Sequence, residues 1–258
     1  MNTVHIAFLG FGEVAAVFSE AVSNHGARVC AYDILLGQEN GLETLYRRAR
    51  VPDISFLPIA DVLKDADLVL STVTTHVALE AAGAQFVEGA ILGAIGVTGA
   101  ETKILIGGAK GRETAETLSQ LGLHAVFYSP DIGKASSFKM LRSVFSKGVE
   151  ALLIEFLVAG KRAGIENDLW AEITELFELN SFDRVAANWI QTHATAHERR
   201  YHEMKQVSDV LREMGLDPLL TSGTEAFFER SCNMGMKEAF TAKPDDMEDV
   251  IEFMEKHL

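Results

Sequence analysis

Val4-His5-Ile6-Ala7-Phe8-Leu9-Gly10-Phe11-Gly12-Glu13-Val14-Ala15 decides the fold of this chain. The run Val4–Leu9 favours a strand and stops at Gly10, and Val14 to Asn24 carries a helical pattern that Gly26 ends. Arg28-Val29-Cys30-Ala31-Tyr32 is a second strand, closing on Asp33. Strand, glycine turn, helix and strand in this order make a βαβ unit.

Gly10 to Ala15 reads G-x-G-x-x-A, and Asp33 stands 23 positions after Gly10. In that setting the pattern is a dinucleotide-binding fingerprint. Gly10 permits the tight turn, Gly12 lets backbone approach a pyrophosphate, and Ala15 keeps the helix close to the sheet. The free N–H groups at the helix start, offered by Phe11, Gly12, Glu13 and Val14, suit the anion. Asp33 would accept hydrogen bonds from the adenosine ribose and repel a 2′-phosphate. The expected cofactor is therefore NAD, with NADP left open because Arg47 and Arg48 could reach a phosphate.

Further along, Ile59–Lys64 reads as a short helix and Asp67–Val73 as a buried strand whose end, Val73 and Thr74, would also touch the cofactor. More strands are expected at Gln85–Val87, Lys103–Ile106 and Ala125–Tyr128. After Pro130 the pattern becomes helical: Lys134–Arg162, Ala171–Phe177, Phe182–Met214, Thr221–Met234 and Asp245–His257. The expected architecture is an α/β Rossmann-type NAD(P)-binding domain at 1–130 and an all-α C-terminal domain at 131–258, with the active site in the cleft between them. Trp170 and Trp189 are expected as core anchors.

The 258 residues are 48% hydrophobic and 23% charged, which fits a folded globular chain. The net charge of −14 argues against nucleic acid or an anionic membrane as partner. Only two cysteines, Cys30 and Cys232, occur, and they are far apart. With no leader-like pattern in Met1–Gly10, this points to the cytoplasm.

These features together resemble the β-hydroxyacid dehydrogenase superfamily, which includes the 3-hydroxyisobutyrate and 6-phosphogluconate dehydrogenases. Within it the chain looks most like a phosphogluconate dehydrogenase NAD-binding-like branch with its own helical C-terminal domain. The resemblance rests on Gly10–Ala15, Glu88–Gly93, Ile132–Ser143, His197–Arg200 and Met214–Pro218. It implies NAD(P)-dependent transfer of hydride between the nicotinamide and a small hydroxy acid or alcohol. Lys139 would be the catalytic acid/base, with Gly133 before it and Ser143 where the family usually has asparagine. The family's carboxylate-binding turn corresponds to Leu92-Gly93-Ala94, where Gly93 alone is kept. A homodimer is implied as well.

The resemblance also exposes a gap. Relatives carry helix, strand and helix between the strands matching 68–73 and 85–87. Here Thr74 and Gln85 are 11 positions apart, too few for even one crossover of a dozen residues, so about 30 residues lack a counterpart. The short interval and the altered turn support an alternative, an NAD(P)-binding protein without turnover that acts as redox sensor or assembly partner. Imine reduction is a third reading, which Lys139 speaks against, and decarboxylation after oxidation stays open. His193, His197 and Arg200 share a helix face that could hold an acidic substrate, with His197 the substrate-binding candidate. A metal site would need a further ligand that no pattern supplies, so no metal is expected.

Overall fold

The computed structural model describes residues 3–72 and 85–258. Compact clustering of the chain gives two units, Met1–Ser143 and Val144–Leu258.

The first unit is built on β1 (His5–Leu9), flanked in parallel by β2 (Arg28–Tyr32) and β4 (Leu68–Ser71), with β3 (Ser55–Phe56) outside β2. The alternation in β1 explains its central place. Ile6 and Phe8 join the cluster formed with α1 (Glu13–Asn24), while Ala7 and Leu9 pack with Val62 of α3 (Ile59–Leu63) on the other face. Between β2 and β3 lies α2 (Gly41–Arg48), a helix that periodicity had not placed.

A second sheet runs β5 (Glu88–Leu92), β6 (Lys103–Gly107), β7 (Ala125–Ser129) in that order. Its Ile104 and Ile106 share the core cluster of Ile6 and Phe8, as do Ala115 and Leu118 of α5 (Gly111–Gln120). The βαβ pattern read from the sequence implies parallel neighbouring strands. Instead β5 runs antiparallel to β6. Their link holds only the short α4 (Ile95–Thr98) and a 3-10 turn at Gly99–Glu101, less than a parallel crossover requires. The strand expected at Gln85–Val87 begins instead at Glu88, with Phe86 left exposed. The short interval after Thr74, and Val73 and Thr74 with it, lie outside the described residues.

Helices then follow in sequence: α6 (Lys134–Ala163), α7 (Glu166–Leu179), α8 (Phe182–Glu213), α9 (Leu219–Cys232), α10 (Met236–Ala239) and α11 (Met247–His257). In the second unit α8 and α9 form the closest pair, and Ala194, Met236, Val250 and Met254 make a small core. Glu155 of α6 caps α9: its Oε2 accepts from the Leu220 N–H at 2.8 Å, and its Oε1 from the Thr221 N–H at 2.8 Å and hydroxyl at 2.6 Å. Burial raises the Glu155 pKa, but these three bonds outweigh it and leave the carboxyl below its ordinary value. Trp170 and Trp189 are not core anchors: they are 50% and 49% exposed.

No helix among the described residues is long and apolar enough to cross a membrane.

Candidate functional site

The glycine turn is held from three directions. The Gly10 N–H donates to Tyr32 O at 2.8 Å, and its φ of +81° is one that side chains resist. The Thr72 hydroxyl, at the end of β4, donates to Gly10 O at 2.8 Å. The Phe11 N–H donates to Asp33 Oδ2 at 2.7 Å, while Asp33 Oδ1 accepts from Leu35 N at 2.9 Å. Asp33 thus ties the turn to the end of β2, which makes it a positioning group as well as the expected ribose partner. The Phe11 ring is buried edge-on against Phe56, with ring centres 4.9 Å apart.

Gly12 tests whether a dinucleotide fits. Its φ of −88° and ψ of −160° are open to ordinary residues, and a Cβ there would meet nothing within 4 Å. The protein itself therefore imposes no need for glycine. The open space lies at the start of α1, where no side chain caps the free N–H groups. A bound pyrophosphate is the group that would fill that space and take those donors. Glu13, which would repel an anion, turns away: a Cβ on Gly96 would stand 2.5 Å from Glu13 Oε1. Glu13 therefore lies over α4, and so brings the glycine turn beside the segment that begins at Gly93. Gly93 has φ +142°, which a side chain would strain, and follows β5 directly.

Lys139 lies on the second turn of α6 with an exposed side chain and no carboxylate partner among the described residues. The Ser143 hydroxyl donates to the Lys139 carbonyl at 2.9 Å, so it bonds the helix backbone rather than the ammonium. The start of α6 is anchored by Glu88. Its Oε1 accepts from the Gly133 and Ala135 N–H groups at 2.8 and 2.9 Å, and its Oε2 from the Ser136 hydroxyl at 2.8 Å.

His193 and His197 belong to the second unit and are buried. His193 Nε2 lies 3.0 Å from Ser231 Oγ, with the rings of Phe227 and Phe228 beside it. Burial, with smaller contributions from His197 and Arg200, lowers the His193 pKa to about 4. His197 Nδ1 lies 3.1 Å from the His193 carbonyl oxygen. Arg200 donates to Trp189 O at 3.1 Å and to the Thr192 hydroxyl at 2.7 Å.

Sequence reasoning missed Thr72 and Glu88, and it named Arg48 without placing it: Arg48 Nη1 donates to Phe11 O at 3.4 Å. One signal for Glu88 was present. Ile132-Gly133 offers α6 no side-chain cap, so its first N–H groups need an acceptor from elsewhere.

Among known families, the domain of unknown function DUF1932 matches residues 161–231. A 28.5 kDa protein from the 7S RNA 5′ region of Methanothermus fervidus is 24% identical over 261 residues, covering 88% of this chain and 98% of that one. The conserved protein MTH1747, whose structure is described as similar to 3-hydroxyacid dehydrogenases, is 30% identical with a TM-score of 0.57, over 92% of this chain and 98% of that one. The chain belongs to this 3-hydroxyacid dehydrogenase-like family. An imine reductase from Myxococcus stipitatus in complex with NAD+ shares the fold at a TM-score of 0.74 and 14% identity, over 98% of this chain and 99% of that one.

Proposed function

We propose that this chain is an NAD(P)-dependent oxidoreductase that moves hydride between the nicotinamide and a small hydroxy acid or alcohol. The observation that carries the reading is Gly12, which leaves open space beside uncapped helix N–H groups that the protein itself has no use for. Gly12, Glu13 and Val14 would offer their N–H groups to the pyrophosphate, with Gly10 and Phe11 shaping the turn around it and Asp33 taking the ribose. A nicotinamide bound there would supply the hydride acceptor or donor for the substrate carbon. Lys139 handles the proton: its amine takes it from the substrate hydroxyl as the C–O bond becomes a carbonyl, and returns it in the reverse direction. Its ammonium form also stabilises negative charge on that oxygen. Gly93, whose backbone runs beside the glycine turn, and Ser143 are the substrate-side candidates. The widely spaced free cysteines support a reducing compartment, the cytoplasm.

A second copy of the chain is the partner that the helices call for. α7 has no buried residue, and α6 buries only Ala135 and Gly160 along 30 residues. In the second unit Phe145, Phe177, Phe182 and Trp189 form a contiguous aromatic patch that is largely exposed. Exposed contiguous aromatic surface of this kind marks an interaction site, since aromatic side chains carry much of the burial energy at interfaces. A face present on every copy suits a symmetric dimer.

Lys139→Ala tests the chemistry. The variant should bind NADH or NADPH as the parent does and lose about 10²–10⁴ of its turnover on a panel of hydroxy acids, their oxo forms and cyclic imines. A parent that binds dinucleotide yet turns over nothing in either direction would favour a binding protein instead. Unchanged turnover in Lys139→Ala would remove the lysine from the chemistry.

A further inference from the structure

By sequence Arg47 and Arg48 are both open as residues that could reach a phosphate, and the structure brings one of them, Arg48, to the glycine turn. Of three neighbouring arginines, Arg47 pairs with Glu43 at 2.9 Å and Arg50 with Glu20 at 3.5 Å. Arg48 has no carboxylate partner among the described residues. Its Nη1 donates instead to the carbonyl of Phe11, the residue between the two glycines of the turn.

This placement follows from packing. A Cβ at Gly41 would overlap the Leu35 carbonyl, so α2 starts with its backbone against the 3-10 turn that Asp33 caps. Leu45 is fully buried, and the Tyr46 ring meets Phe56 edge-on at 5.0 Å, as Phe56 meets Phe11 at 4.9 Å. Three rings therefore tie α2 to the turn, and the next turn-facing residue at the helix end is Arg48.

Charge then gives that position a use. The ionisable side chain bonded to the turn, Asp33, is acidic, and the chain as a whole carries −14. A ligand bearing phosphate would meet net repulsion unless a cation stood beside the turn. A guanidinium has five N–H donors in a planar fork suited to phosphate, and Arg48 spends one of them on Phe11.

We propose that Arg48 is a phosphate ligand of the dinucleotide site, binding either the pyrophosphate or a 2′-phosphate on the adenosine ribose. The proposal rests on the cofactor reading above.

The test titrates the parent, Arg48→Ala, Arg48→Met and Arg47→Ala with NADH and with NADPH, following nicotinamide fluorescence. Arg48→Met keeps the aliphatic stem and serves should alanine loosen α2. Both Arg48 variants should weaken binding by between about tenfold and a hundredfold, while Arg47→Ala stays within about twofold. Equal weakening for the two dinucleotides identifies the pyrophosphate, and weakening for NADPH alone identifies the 2′-phosphate. Both results support the proposal. If the parent binds and the Arg48 variants bind both dinucleotides equally well, the proposal is wrong and the cofactor reading survives. If the parent binds neither, both fall.

Discussion

Removing the Glu88 carboxylate should loosen the start of the helix that carries Lys139. The side chain is buried at 8% exposure and accepts three hydrogen bonds at 2.8–2.9 Å from Gly133, Ala135 and Ser136. Glu88→Ala deletes a charged helix cap and strands two N–H groups, one of them on a fully buried residue. A lost cap costs about 1 kcal/mol and a bond to a charged group about 1.5–3 kcal/mol, so a total of about 3–4 kcal/mol is expected. Glu88→Gln keeps one acceptor oxygen and loses only the charge at the helix start, for about 1–2 kcal/mol. Gly107 supplies an internal check. It faces Glu88 across the β5–β6 ladder, and a Cβ there would stand 2.7 Å from Glu88 Oε1. Gly107→Ala should therefore dislodge the carboxylate and cost about as much as Glu88→Ala, while the double variant costs little more than either alone. Urea unfolding followed by circular dichroism measures the parent and the four variants. A loss below about 0.5 kcal/mol in Glu88→Ala, or strict additivity in the double variant, would refute the capping role.

Two further outcomes are expected. The unfolded chain takes up a proton on His193 near pH 6.5, the folded chain only near pH 4, so the folded state should lose stability as pH falls between those values. Allowing for solvent screening, the loss is about 2 kcal/mol, and His193→Gln should flatten that part of the pH–stability curve in urea titrations. As pH falls below the ordinary carboxylate value of 4.5, the capped Glu155, whose folded pKa is depressed, adds its own loss. Phe145→Asp should shift the protein from dimer to monomer by light scattering at micromolar concentration, with helix content retained. A parent that is monomeric at that concentration would remove the dimer.

Local chemistry explains what could be read in advance. β1 was legible because a strand buried on both faces is apolar throughout, and the turn because glycines at fixed spacing serve backbone geometry. α8 was legible as well: the expected span Phe182–Met214 ends one residue beyond the observed helix. What stayed hidden joins residues distant in sequence. Glu88 caps a helix that begins 46 positions later, at Lys134. Ser231, the partner of His193, is 38 positions away and on another helix. The reversed β5 depended on the short link from Gly93 to Thr102 rather than on the strand's own residues. Trp170 and Trp189 read as core anchors because their hydrophobicity is plain, while their half-exposure depends on which elements pack over them, and sequence spacing does not say.

The most direct test is a titration of the parent and of Gly12→Val with NADH and NADPH, alongside their thermal unfolding. Valine is compatible with the extended backbone at Gly12, and its Cβ meets nothing in the protein, so the two should unfold within a few degrees of each other. The parent should bind saturably and the variant about a hundredfold or more weaker, because the added side chain occupies the space left for the pyrophosphate. Equal binding by the two proteins, or no binding by a folded parent, would contradict the dinucleotide site.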